Sequence, residues 1–323
     1  MNDDGFNRRE FLILSGKATL LSAILGGGGY LLSRNEYSPA IAPLFAADGN
    51  RAAIPDSSFP VLAAIKGTDH AKAAIESVAA LGGMQRFISN GDIVAIKPNI
   101  GWDRTSEQGA NTNPLLVKKA VEMCLEAGAK KVIVTDMPCN DPRRTFNRSG
   151  IQGMAEAAGA EIILPEERHF VETDLCGEIL GAWPVLRQFL ECDKLINMPV
   201  VKHHGLCKAT LGMKNWFGVL GGPRNRLHQM IDISIADLAQ FFRPTLVIAD
   251  ATRVMVRNGP VGGRLSDVEV RDTVVAATDQ VAADSYSCRY LGLQPEDLRY
   301  IAMAESRGLG KAADFTMVER DSA

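Results

Sequence analysis

The chemistry-bearing side chains of this 323-residue chain concentrate in one stretch. Between Lys194 and Ile231 there is no Asp or Glu, yet Lys194, Lys202, Lys208, Lys214, Arg224 and Arg226 all fall there. So do His203, His204 and His228, three of the five histidines. The whole chain carries a formal charge of −3, so this is a local reversal of sign. Cations without neighbouring carboxylates need an external anion, or acids brought from elsewhere in the fold. The stretch also contains Leu206, Leu211, Met213, Trp216, Phe217, Val219 and Leu220, which predicts burial. A buried lysine with no acid beside it is costly unless it contacts a ligand.

We expect Lys97, Lys202, Lys214 and Arg224 to hold an anionic small molecule such as a carboxylate or phosphate ester. Asn99, His203, Lys208, Asn215 and His228 are further binding candidates. His204, Lys214 and Asp250 are the catalytic candidates, because imidazole titrates near neutrality and suits acid–base work. Gly221-Gly222-Pro223-Arg224, followed by Arg226, has the composition of an anion-cradling loop of backbone N–H groups and guanidinium. Were 204–216 helical, His204, Lys208 and Asn215 would share a face; on a strand, His203 and His204 would face opposite ways. Asp136 and Asp250 are candidate ligands for a divalent cation or a substrate hydroxyl, although no metal-binding spacing accompanies them. The alternative is a non-enzymatic binding or maturation protein that docks a partner through the basic segment. A third reading is a redox protein whose distant cysteines hold a metal.

The elements that must position these groups alternate. Apolar runs at Val61–Ile65, Asp92–Ile96, Lys131–Thr135, Glu161–Leu164, Lys194–Asn197, Pro244–Ala249 and Val268–Ala276 read as strands. Helices are expected at Asp69–Leu81, Asn113–Ala127, Gln152–Ala158, His228–Phe241, Asp279–Leu291 and Pro295–Ser306, with an antiparallel excursion at 166–186. This alternation predicts an α/β fold: a three-layer, mostly parallel sheet with flanking helices, divisible into lobes at about 59–165 and 190–310. Ligands of such sheets bind beyond the carboxyl ends of the strands. There Lys97, Asn99, Asp136, Asn197 and Asp250 would share one rim.

Composition bounds the rest. Hydrophobic residues at 46% and charged residues at 23% describe a globular chain, and the charge of −3 argues against a nucleic-acid binder. The start, Asn7-Arg8-Arg9-Glu10-Phe11-Leu12 followed by an apolar run, has the layout of an export signal and resembles a twin-arginine signal. Residues 1–47 are therefore set apart as a signal or anchor with linker, and 48–323 form the α/β domain. The expected route is the Tat machinery and the expected place the periplasm, soluble or tethered to the membrane through residues 11–32. The cysteines at 124, 139, 176, 192, 207 and 288 show no C-x-x-C spacing, which argues against a ferredoxin-type cluster while leaving room for one disulfide. No dinucleotide fingerprint, P-loop or nucleophile-elbow motif is present.

Taken together, the DIVAIKPN run (92–99), the NTNP helix start and AGAKKVIVTD (127–136) resemble a known family, the domain of unknown function 362. So do INMPVVKHHGLCKATLGMKNWFG (196–218), the GGP–H stretch, IAD (248–250), the GP–GG turn and ATDQVAADSYSCRYLGL (277–293), so that the likeness covers roughly residues 61–310. The resemblance implies polar motif positions at Lys97, Asn99, Lys202, His204, Lys214, Asn215, His228, Asp250, Asp279 and Asp284. Some members carry an added ferredoxin-like module; this sequence lacks its cysteines, so iron–sulfur binding is not carried over.

Overall fold

The computed structural model describes residues 51–323. The expected export signal and anchor at 1–47 lie outside the described residues. From there on, apolar runs form strands and amphipathic stretches form helices in near alternation. β1 (Leu62–Lys66) leads to α1 (His70–Ala80), whose cap Asp69 accepts from Lys72 N at 3.0 Å. β2 (Ile93–Pro98) leads to α2 (Pro114–Glu126), which starts on a proline after the cap Asn113. β3 (Lys131–Val134) precedes α3 (Pro142–Arg148), α4 (Ile151–Ala157) and the short β4 (Glu161–Ile162). The excursion is a separate hairpin of β5 (Phe170–Asp174) and β6 (Ala182–Leu186).

The second half carries the basic segment. After α5 (Gln188–Glu191), β7 (Lys194–Met198) and β8 (Val200–His204) form one strand path interrupted at Pro199. β9 (Lys208–Thr210) folds back on β8 and leads into α6 (Gly212–Asn215). α7 (Ile231–Phe241), β10 (Leu246–Met255), β11 (Val268–Ala277), α8 (Gln280–Ser287), α9 (Arg299–Ser306) and β12 (Met317–Asp321) follow.

The main sheet runs β12-β1-β11-β10-β7-β2-β3-β4, with β8 also beside β10 and β9 beside β8. β7, β2, β3 and β4 all run parallel to β10, while β11 is antiparallel to β10 and to β1. Alternation splits the core into layers. Val94, Ile96, Val132 and Val134 pack with α1, α2 and α4 on one face. Ala95, Leu195 and Val201 pack on the other with residues of α7, α8 and α9. The expected three-layer, mostly parallel α/β architecture is therefore the fold.

One sheet spans 59–165 and 190–310: β1 pairs with β11 of the second stretch and with β12 beyond it, and β2 with β7. Residues 204–216 are not one helix. They form the end of β8, β9 and the short α6, because Gly205 and the positive φ of Lys208 reverse the chain. The GP–GG turn at 259–263 connects the antiparallel β10 and β11, as a hairpin connection should.

Candidate functional site

The parallel register aligns the polar strand ends. Lys97 and Asn197 are directly paired across β2 and β7, so both side chains leave the same face. On β8, Lys202 and His204 are two residues apart and share a face, and His203 takes the other. Beyond these strand ends lies a cavity of about 730 Å³. Lys97, Asn99, Asp136, Lys202, His204, Lys214, Asn215, Arg224 and His228 line it, together with Trp102, Cys139, Asn225, Phe217, Pro260 and Val261.

A chain of amides organises the floor. Asn215 Nδ2 donates to Asn197 Oδ1 at 2.8 Å, and Asn215 Oδ1 accepts from Asn99 Nδ2 at 2.9 Å and Lys97 Nζ at 3.0 Å. Asn197 Nδ2 donates to Gly212 O at 2.8 Å, which ties α6 to the sheet. Lys97 Nζ also meets Asp136 Oδ1 at 2.7 Å, and Asp136 Oδ2 accepts from Ile100 N at 2.6 Å. A Cβ on Gly218 would stand 1.9 Å from Asp136 Oδ1 and 2.7 Å from Lys97 Nζ, so only glycine lets this pair close. Lys202 Nζ donates to Asn99 Oδ1 at 3.0 Å and to Ala110 O.

Lys214 differs from its neighbours. It is 7% exposed, and its Nζ has no hydrogen-bond or ion-pair partner among the described residues. It lies over the Phe217 ring, 3.4 Å from the centroid, in cation–π contact. Burial, with Lys97 and Arg224 adding repulsion, pulls its ammonium down to about 8. Burial likewise pulls Lys202 down to about 7, and lowers Lys97 against the opposing pull of Asp136. Among the described residues Asp136 is the one acidic side chain lining the cavity, against three lysines and an arginine.

The two cavity imidazoles are held in opposite senses. His204 Nδ1 accepts from Leu206 N at 3.1 Å and Cys207 N at 3.4 Å, so its proton sits on Nε2. Burial, then Lys214 and Lys202, push His204 down to about 3. At neutral pH it is a neutral imidazole that presents its Nε2–H as a hydrogen-bond donor. His228 Nδ1 lies 3.3 Å from Asn225 O, a contact that requires the proton on Nδ1 and leaves the Nε2 lone pair free. The rings stack at 6.0 Å, and burial also lowers His228.

Other candidates fall outside the cavity. His203 Nδ1 accepts from Gly259 N at 3.2 Å, on the far side of β8. Lys208 is exposed and pairs with Asp297 at 3.0 Å. Asp250 is buried away from the cavity, accepting from Asn113 N at 2.7 Å and from Thr252 N and Oγ1. It anchors the start of α2, and the cavity lining includes Asp136 but not Asp250. Asp279 caps α8 through Val281 N, and Asp284 accepts from Gly212 N at 2.6 Å and Met213 N at 3.0 Å. Among the described residues no group of three or more His, Cys, Asp or Glu could hold a metal ion. Arg224 lines the cavity but spends three N–H bonds on Met137 O, Phe217 O and Pro138 O, so it clamps the 137–138 loop and only two of about five donors stay free.

The six cysteines are free thiols, four of them buried; burial pushes Cys192 and Cys207 up to about 11. Cys139 and Trp102 also line the cavity. Both follow the strand ends of β3 and β2, so the strand-end rule would have found them.

A mostly parallel sheet with a polar cavity at its strand ends places the molecule among α/β proteins, and the cavity lies where ligands of that class usually bind. The chain belongs to the family described as Domain of unknown function (DUF362), whose model matches residues 94–289, and this span contains every cavity residue named above. The chain is 25% identical over 246 residues to the thylakoid-associated protein sll1697 of Synechocystis sp., covering 72% of this chain and 73% of that protein. Among solved structures it is similar to the lactate racemase apoprotein from Thermoanaerobacterium thermosaccharolyticum, at 11% identity and a TM-score of 0.42. That likeness covers 73% of this chain and 58% of the other.

Lys214→Met tests whether the unpartnered ammonium is kept at the expense of stability. The variant should be more stable than the parent at pH 7 without ligand, by about 1–4 kcal/mol in urea denaturation. In the parent the folded state disfavours the charged amine, so stability should rise with pH between about 8 and the ordinary 10.5. The variant should lose that part of the rise.

Proposed function

We propose that this protein binds an anionic small molecule, a carboxylate or phosphate ester, in the strand-end cavity and acts on it there. The observation that carries this is Lys214, a buried ammonium whose Nζ lies over the Phe217 ring, lines the cavity and has no hydrogen-bond or ion-pair partner among the described residues. Lys97 is neutralised by Asp136, so the uncompensated charge rests on Lys202, Lys214 and Arg224. An anion seated among them would recover the desolvation cost of those groups. His204 Nε2–H would donate to a ligand oxygen. His228 Nε2 would take or return a proton, the acid–base role first expected of His204. The buried lysines favour this over a flat basic face for docking a partner.

We also propose export by the twin-arginine route to the periplasm, soluble or tethered through residues 11–32. The support is Arg8-Arg9-Glu10-Phe11-Leu12 and the apolar run behind it. Replacing Arg8 and Arg9 together by Lys should hold the chain in the cytoplasm on fractionation; unchanged export would overturn this.

Binding is tested with sulfate, which keeps its charge across the pH range used. Calorimetry should show one site that weakens from pH 7 to 9, by up to about tenfold per pH unit for each lysine that loses its proton. The order of loss follows Lys202, about 7, then Lys214, about 8. Lys214→Met should abolish the site, whereas Lys208→Met, outside the cavity, should leave it intact. Equal binding by both variants contradicts the assignment.

A further inference from the structure

Of the three buried lysines, two are committed. Lys97 Nζ bonds to Pro98 O, Asn215 Oδ1 and Asp136, and Lys202 Nζ to Asn99 Oδ1 and Ala110 O. Their nitrogens are held by acceptors and cannot turn toward a ligand carbon without leaving those bonds. Lys214 Nζ is bound by no acceptor among the described residues, faces the cavity and rests on an aromatic ring that can give no hydrogen bond to an amine lone pair. That is the setting of an amine nucleophile: apolar support beneath, cations nearby, and room in front. The same cations make the ammonium easier to deprotonate, drawing Lys214 to about 8.

We propose that Lys214 forms an imine with an aldehyde or ketone that also carries a carboxylate or phosphate group. This rests on the anion-binding reading and names the substrate class within it. Lys202 and the free donors of Arg224 hold the anionic group. The ammonium gives one proton to His228 Nε2, and the Nζ lone pair then forms a bond to the carbonyl carbon. The C=O electron pair moves to oxygen, which His204 Nε2–H steadies by hydrogen bonding. Proton return from His228, with the second amine proton, lets the oxygen leave as water while the C=N bond forms. The balance is ammonium plus carbonyl giving protonated imine plus water, with no oxidant or reductant. The product keeps a positive charge where the ammonium stood, so the anionic group remains paired.

The test uses the full chain with glyoxylate, the smallest aldehyde that carries a carboxylate, and cyanoborohydride to trap any imine, followed by peptide mapping. The expected result is one equivalent of adduct, on Lys214, formed about tenfold faster than on any exposed lysine because the anion is pre-bound beside the amine. Sulfate should slow it, and propanal, which lacks the carboxylate, should not show the preference. Lys214→Arg should keep sulfate binding and lose the adduct. Label spread over surface lysines, or on Lys202 or Lys97, overturns the proposal. If sulfate binds but glyoxylate leaves no adduct on Lys214, the imine fails and the anion site stands. If neither binds, both fail.

Discussion

Among the described residues three lysines line one cavity with a single carboxylate, that of Asp136, and much of the local structure follows from that constraint. Water has been taken from all of them, so each must find another partner or bear the cost. Lys97 finds Asp136, and the contact is possible only because position 218 has no side chain. Lys202 finds two oxygens. The amides of Asn99, Asn215 and Asn197 distribute acceptors between the lysines and fix each other's orientation, so displacing one disturbs all. Among the described residues Lys214 is left to the ring of Phe217, at the cavity wall.

Three further aspartates lie outside the cavity lining and serve the backbone. Asp250, Asp279 and Asp284 each accept backbone N–H groups at the start of a helix or turn. Asp284 is the most consequential, because it holds the two residues that precede Lys214. Burial raises it to about 7, which shows how much desolvation its backbone bonds must offset. These acids build the frame that presents the cations. Their absence from the cavity leaves it basic.

Much of this was legible in the sequence. β2, β3, β7 and β10 were visible as short apolar runs, and the residues at the ends of the first three, Lys97, Asn99, Asp136 and Asn197, share one hydrogen-bonded network. The missing acids between Lys194 and Ile231 pointed to Lys202 and Lys214 because charge balance is a property of composition. What periodicity could not decide was the path after His204. A helix would have grouped His204 with Lys208; the observed hairpin sends Lys208 to solvent and brings Lys214 inward instead. Asp250 could not be separated from Asp136 either. Both end apolar runs, and only the packing of Asn113 against β10 draws Asp250 away. The tautomers of His204 and His228 depend on contacts with nearby backbone in turns whose geometry the sequence leaves open.

The most direct measurement is crystallography of the protein soaked in selenate, with data collected at the selenium edge. The account predicts one strong anomalous peak in the cavity, within hydrogen-bonding distance of Lys214 Nζ and reached also by Lys202 or Arg224. A cavity that shows no selenium peak under soaking, with Lys214 Nζ turned to a protein acceptor or to bulk water, would contradict it.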